Sequence, residues 1–559
     1  NYQCGEIPMK SQSWKPNMIN NIKLLSALAV SSTMLTAGAM AKDKKGSKPD
    51  IPTMIYHARE LRNMLAADPY RPRYHFVPPE GKWNDVNGMI YWKGRYHLFY
   101  LSRTVNPELN KKLKTTQGQQ KTVMETWGHS SSIDLVHWVH HPFALVPAYD
   151  GTMPKGIFSG DMMDNMDVPT IIAHVPGQGT CIWQAQDDML LDWKPLKENP
   201  VIQDKNPPSG DIKVFDPAGW KEGDTYYALI GNRTDAAGFE GDSSSLMQSS
   251  DLIHWEYIGP FYKSDRKWTP DYYDAACIDF FPLQDKYMII THVHNPGNHS
   301  QYYIGSYEPG KRFIPEQHGL FASIRNQVMA PESMVDDKGR RIFMAWNAHG
   351  YSPAWKSMSV LPRVFSLDSK GRLQQTPVEE LKKLRFNHRK EDPATLASNT
   401  VKQLETIRGT CMEINVSLKL GNYEKAGIKV YQSPDGTEQT VIGYDQRTKQ
   451  LYVDFAQSKK GGEKIEKYAS RFFWRVEGLQ QEYVTQQALP LELDEGEALE
   501  LRVFLDQGSI EVFANNRQVL VQNVYPEGKN STHVSLFSEG GEAEFSRIEA
   551  WDMHQVNAF

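Results

Sequence analysis

Residues 130–145 read SSSIDLVHWVHHPFAL, and residues 248–262 return to the same phrase as QSSDLIHWEYIGPFY. A weaker copy, QDDMLLDWKPL, lies at 186–196. The copies are about 50 to 60 residues apart, the period of a four-stranded propeller blade. Around them, short runs rich in Tyr, Ile, Phe and Val, such as YHLFYL (96–101), YMIITHV (287–293) and RIFMAW (341–346), alternate with Gly, Pro, Asn and Asp. Runs of this kind are strands separated by turns. Roughly 310 residues at that period make five blades, so residues 68–376 are expected to form a five-bladed β-propeller. A large β-sandwich is the competing architecture for this stretch, but it requires no internal echo.

The flanks on either side read differently. From Met18 the chain runs MINNIKLLSALAVSSTMLTAGAMAKDKK, with Lys23 ahead of an apolar stretch and Ala39-Met40-Ala41 as a small-x-small cleavage site. This is the pattern of a secretory signal peptide, so residues 1–41 are set aside as upstream segment and signal peptide, and the protein is expected to be exported, periplasmic or extracellular. The apolar run is short and broken by Ser and Thr, which argues against a permanent membrane span. On the other side, TPVEELKKLRFNHRKEDP (376–393) is charged, helical in character and ends before a Pro, so 377–400 is expected to be a linker. From 401 to 557 the strand alternation is cleaner. In LELRVFLDQGSIEVFANNRQVLVQNVYP (499–526), Leu501, Val503 and Leu505 share one face and Ile510 and Val512 share another in the next strand, with Asn515-Asn516 as a hairpin turn. This segment is expected to be a C-terminal β-sandwich, making the fold class all-β.

Composition narrows the function. A formal net charge of −5 gives no basic footprint for nucleic acid. Eleven of the fourteen Trp fall between Trp83 and Trp355, which suits sugar-stacking surfaces and β cores alike. Beyond Cys4, the scattered Cys181, Cys277 and Cys411 make neither a disulfide framework nor a metal-ligand spacing. His292, His294 and His299 in THVHNPGNH offer no evident third ligand beside the His-x-His pair, so no metal and no cofactor are expected.

A propeller converges the inner strands of its blades, so chemistry is expected from carboxylates distant in sequence. Four stand out: Asp85 in WNDVNG (83–88), Asp216 in KVFDPAGW (213–220), Asp274 in YYDAACIDFF (272–281) and Glu332 in MAPESMVDD (329–337). Taken singly, Asp85 before Asn-Gly and Asp216 before Pro are ordinary turn residues. Taken together, they suit glycoside hydrolysis, which needs a nucleophile and an acid, with a third acidic group to hold the distorted sugar.

WNDVNGMIYWKGRYHLFY resembles the N-terminal motif of the family 32 glycoside hydrolases, the invertases, inulinases and levanases. The resemblance continues through TWGHSSSIDLVHW (126–138), GIFSGD (156–161), FDPAGW (215–220), AACIDFFPL (275–283) and APESMVDDKGRRIFMAW (330–346), and LRVFLDQGSIEVFANN resembles the accompanying sandwich. It implies a propeller plus sandwich acting on β-fructofuranosides of the fructan or sucrose class, with retention and without a metal. It also implies that Asp85 is the nucleophile, that Asp216 stabilises the transition state, and that Trp83, Asn84, Trp127, Phe158 and Ser159 line the terminal sugar's pocket.

The sequence departs from the family pattern at several of these positions. Val86 stands in place of Pro, Leu101 of Gln, Asp161 of Ser and Phe215 of Arg, and Ala276 occupies the place of the acid/base Glu. Alanine cannot transfer a proton. Asp274, two residues earlier on the same strand face, and Glu332, on the next blade, are the two candidates for the missing acid. A β-fructosidase with a rearranged acid is therefore expected. The alternatives are a related propeller glycosidase for another furanoside and a carbohydrate-binding protein without catalysis.

Overall fold

The computed structural model describes residues 51–78, 83–105, 123–148, 150–204, 214–231, 243–263, 267–269, 273–294, 297–348, 355–468 and 480–557. The signal-peptide reading of residues 1–41 lies outside them. A helix absent from the sequence reading, Ile51–Ala67, precedes the first sheet along the chain. None of the described helices is long and apolar enough to cross a membrane.

Among the described residues, five antiparallel sheets lie between Val86 and Pro377, each built on a four-strand meander in chain order, with one further short strand in the second and in the fifth. Their first strands are Val86–Trp92, Gly160–Met162, Ala218–Glu222, Ala276–Leu283 and Met329–Val335. Each of these packs against the first strand of the next blade, and the fifth returns to the first, closing a ring about a central axis. A closed ring leaves only short outer edges, which resolves the exposed-edge problem of open sheets.

The repeated phrase is the corner between third and fourth strands. Asp134, Asp187 and Asp251 each accept backbone N–H groups from the residues that follow, for example Met189 at 2.8 Å and Asp192 at 2.7 Å on Asp187. Leu135, Leu190 and Leu252 then take left-handed φ of 64°, 57° and 67°. Such a φ is costly for Leu. It persists because the Leu side chains are buried, and in two blades the following Trp, Trp193 and Trp255, donates its indole N–H to the Leu carbonyl at 2.9 Å. The echo in the sequence is thus a buried turn with its own hydrogen-bond set, repeated in three blades.

The expected linker is largely absent. The fifth blade ends at Leu373–Pro377, a 3₁₀ turn occupies Glu379–Leu384, and Arg385–Glu391 already pairs with Ala543–Met553 as a sandwich strand. Ala394–Leu396 adds to the same sheet. The charges that suggested a solvated helix instead decorate an edge strand, whose outer face tolerates them. Among the described residues, the sandwich consists of a seven-stranded and a six-stranded sheet. Leu501, Val503, Leu505, Ile510 and Val512 all enter one core, because the register pairs Val503 with Val512 and Leu505 with Ile510. Asn515 and Asn516, at φ 50° and 53°, make the hairpin turn.

Candidate active site

Three inner strands do not start as regular ladders. The register slips between Val86 and Gly88, between Ala276 and Asp279, and between Met329 and Glu332. Left-handed φ values occur at Asp216 (40°), Cys277 (44°) and Ala330 (42°). Bulges of this kind re-aim side chains at a barrel or propeller rim. Here they turn residues of blades one, three and four toward one another.

Asp85 is the centre of the cluster. Asn84 and Asp85 extend the first ladder through Asn84 N–H to the Leu101 carbonyl (2.9 Å) and Leu101 N–H to the Asp85 carbonyl (2.8 Å), which fixes their backbone. Ser159, just before the inner strand of blade two, donates its hydroxyl to Asp85 Oδ2 at 2.6 Å. Asn87 lies two residues beyond Asp85, at the register slip between Val86 and Gly88. With its amide turned to satisfy both ends, it donates to Ser159 Oγ (3.2 Å) and accepts from Trp127 Nε1 (3.0 Å). The two Asn that bracket the Asp therefore have separate duties, one in the ladder and one in orienting the serine.

Asp216 meets Asp85 across Cys277. The thiol is directed at Asp85 Oδ2 (3.7 Å) and Asp216 Oδ2 (3.8 Å). Burial, followed by the charges of Asp85, Asp216 and Glu332, pushes this thiol well above its usual range, so it remains a donor. Burial and then the neighbouring Asp216 raise the Asp85 carboxyl, while the Ser159 hydroxyl, a charged His294 and the Cys277 thiol pull it back toward the anion. A half-buried Asp85 and a buried Asp216, bridged by a thiol from blade four and with Asp85 also held by a hydroxyl from blade two, form a site suited to an electron-poor sugar carbon.

The remaining expected residues take distinct places. Trp83 (1% exposed) and Trp127 (0%) present essentially no accessible surface: Trp83 packs edge-on to Phe76 and Tyr100, and Trp127 donates to the Phe158 carbonyl at 2.9 Å. They build the wall behind Asp85 and Ser159. Leu101 and Phe215 are also buried, so two positions where the family resemblance implies polar side chains are apolar here. Asp161 turns from the pocket and accepts the Gly219 N–H at 3.1 Å.

The two acid candidates separate clearly. Asp274 is buried, and both of its oxygens are engaged by one residue: Oδ1 accepts the His294 N–H at 2.6 Å and Oδ2 meets His294 Nδ1 at 3.0 Å. Glu332 belongs to a second layer within the ring. Its carboxyl has no hydrogen-bond donor among the described residues and faces Asp161, Asp279 and Asp164. Burial first, and then these carboxyls, push it well above the usual carboxylate range, which lets it share a proton with Asp161. Asp279 in the same layer is raised to about 7 by burial despite Arg341, and accepts the Ser333 hydroxyl at 2.5 Å. Of the three histidines that suggested a metal, His294 serves Asp274 and His299 packs edge-on to Tyr273.

Comparison with known proteins agrees with this architecture. The profile of the Glycosyl hydrolases family 32 N-terminal domain matches residues 75–377, and that of the Glycosyl hydrolases family 32 C-terminal domain matches residues 380–552. Sucrose-6-phosphate hydrolase of Escherichia coli is 26% identical, covering 87% of this chain and 95% of its own. A levanase of Bacillus subtilis is 27% identical over 90% of this chain and 73% of its own. The fold is shared with fructan 1-exohydrolase IIa from Cichorium intybus, with a TM-score of 0.70 at 23% identity over 87% of this chain and 98% of that one. The chain belongs to glycosyl hydrolase family 32, as a five-bladed propeller joined to a β-sandwich, and is a glycoside hydrolase acting on O-glycosyl bonds.

Proposed function

We propose that this protein hydrolyses β-fructofuranosidic bonds of sucrose-like sugars or fructans by a retaining double displacement. The observation that carries this reading is the meeting of Asp85 and Asp216 at the Cys277 thiol, at 3.7 and 3.8 Å, on inner strands of the family's propeller. Asp85, aimed by Ser159, attacks the anomeric carbon to give a fructosyl ester, and Asp216 holds the ring and offsets the charge of the oxocarbenium-like transition state. Proton transfer is assigned to the group on blade four that contains Asp274, with Glu332 as the second candidate. The substrates in the relatives' names, sucrose phosphate and levan, support the fructoside class. The Lys23-led apolar run before Ala41 supports export to the periplasm or exterior.

Purified protein incubated with sucrose, inulin and levan is expected to release fructose. Asp85→Asn is expected to lower that rate by about 10⁴-fold or more, as removal of a nucleophile does. A brief incubation with substrate followed by acid quench and peptide mass analysis should place the fructosyl adduct on the Asp85 peptide, and an adduct elsewhere would overturn the assignment. Ala276 favours a second reading, a sugar-binding protein without turnover, which binding without fructose release would support.

A further inference from the structure

The outer face of the seven-stranded sandwich sheet is covered by the propeller in one part and open in another. Phe504 and Phe513 on that face are buried in one core with Leu381 and Leu384 of the 3₁₀ turn. Beside them the cover stops, and a cavity of about 670 Å³ remains between the sheet and Thr376, Glu379 and Lys382. That size falls within the roughly 300 to 1,000 Å³ of small-molecule pockets. Among the described residues, the cavity shares none with the cluster around Asp85. The register sets Glu549, Asn415, Arg502 and Phe513 side by side across four strands, and all four line the cavity. The basic side chains of the lining are already paired: Lys382 with Glu379 at 2.5 Å, Arg547 with Glu500 at 2.5 Å, and Arg385 and Arg502 both with Glu413. Two polar atoms in the central row are left over. Asn415 Oδ1, an acceptor on a residue only 9% exposed, and Arg502 Nη2, a donor, have no hydrogen-bond partner among the described residues. Unpaired buried polar atoms are rare and costly, and these two lie on directly opposed cross-strand residues.

We propose that this cavity is a second saccharide site, which holds a segment of a fructan chain apart from the catalytic cluster. A hydroxyl both donates and accepts, so a sugar completes an adjacent donor and acceptor together, taking the hydrogen of Arg502 and giving its own to Asn415. An anion would serve Arg502 but meet the Asn415 oxygen and the Glu side chains, and a cation would serve Asn415 but meet the guanidinium groups. With the lining cations already paired, no excess of either sign remains to attract an ion. The choice of fructan rests on the fructosidase reading above. A second hold on the same chain raises its effective concentration at the catalytic cluster, which gives a remote site a use in polymer hydrolysis.

Native gel electrophoresis in the presence of levan, inulin or dextran reads the binding directly, with Asp85→Asn in every sample so that the polymer is not consumed. The Asp85→Asn protein is expected to be slowed by levan or inulin and not by dextran. Asn415→Leu removes the acceptor without breaking an ion pair, and Arg502→Lys keeps a cation for Glu413 while removing Nη2. Each is expected to lose the retardation. With Asp85 intact, each should raise KM for the polymer about 10-fold, the size of one hydrogen bond to a charged group, while kcat and sucrose hydrolysis stay within about two-fold of the parent. Retardation unchanged in both variants, or equal slowing by dextran, overturns the proposal. So does an equal loss on sucrose and on polymer, which would place the effect on the fold or on the catalytic cluster. A parent protein that hydrolyses no fructoside, yet is slowed by levan or inulin through Asn415 and Arg502, removes the fructosidase reading and leaves this site standing. A parent that hydrolyses fructosides and is slowed by neither polymer removes only the site.

Discussion

Ser159 shows how one hydroxyl bears on the charge of Asp85, the proposed nucleophile. Burial and Asp216 push Asp85 toward its protonated form, and the 2.6 Å bond from Ser159 is the largest influence opposing them. An acid that must be ionised to attack loses activity as the pH falls through its pKa, so the acid limb of the rate profile should lie above the ordinary Asp value of about 4. Ser159→Ala withdraws a donor from the anion, which should move that limb to higher pH and lower the rate about 10-fold at neutral pH, in line with about 1.5 kcal/mol for a hydrogen bond to a charged group. A rate profile of the variant whose acid limb coincides with that of the parent would remove Ser159 from this role. At this scale, Asp85 and Asp216 were legible in the sequence because each sits in a short motif with rigid neighbours. Asn87 was not singled out, Cys277 was read only as one of three scattered cysteines, and His294 only as one of three histidines without a third metal ligand. Cys277 and His294 owe their places to a bulge and to a neighbouring strand's register, neither of which has a local signature.

The elements that matter most are the joints between blades. Gly88, the second half of an Asn-Gly pair that resembles a simple turn, has φ +153°, and a Cβ there would lie 2.7 Å from Met162 N and 2.9 Å from Met162 Cβ on the neighbouring inner strand. Its role is therefore close approach between blades one and two, in the segment that aligns Asp85 with Ser159. Gly88→Ala should lower stability by about 1 to 3 kcal/mol, the range for overpacking a filled interior, and should also depress the rate by separating the two blades. Thermal unfolding together with turnover checks both, and an unchanged melting temperature would show that the joint yields freely. The corners of blades one to three were legible because the same Asp, Leu and Trp recur in them. The linker was misread because residues 379–391 carry helix-like charge spacing, while pairing with Ala543–Met553 determines the strand. Tertiary pairing overrides local propensity of that weak kind.

At the scale of the whole molecule, two sandwich carboxylates clasp the propeller. Asp506 accepts the backbone N–H groups of Arg73 (2.6 Å), Tyr74 (2.9 Å) and His75 (2.9 Å), together with His75 Nδ1 (2.8 Å). Glu511 meets His75 Nε2 (3.2 Å), the Leu361 N–H (2.8 Å) and Arg363 (3.1 Å). His75 thus lies between two carboxylates, with both ring nitrogens engaged and no exposure. Burial alone would lower its pKa, but hydrogen bonds and charge from Asp506 and Glu511 raise it to about 9. A folded-state value above the unfolded 6.5 means that the native state holds a proton the unfolded chain releases. The associated stability is fully present below about pH 6.5 and is lost as the pH rises from there through about 9. The interval corresponds to roughly 3 kcal/mol. Asp279, raised to about 7, adds its own slope at lower pH, so the difference between parent and variant isolates the histidine. His75→Gln should unfold at lower urea than the parent at pH 6, and the gap should narrow steadily toward pH 9. A gap that stays constant from pH 6 to 9 would mean that His75 is neutral in the clasp, leaving the backbone N–H groups on Asp506, the Leu361 N–H and Arg363 on Glu511, and packing to hold the two domains.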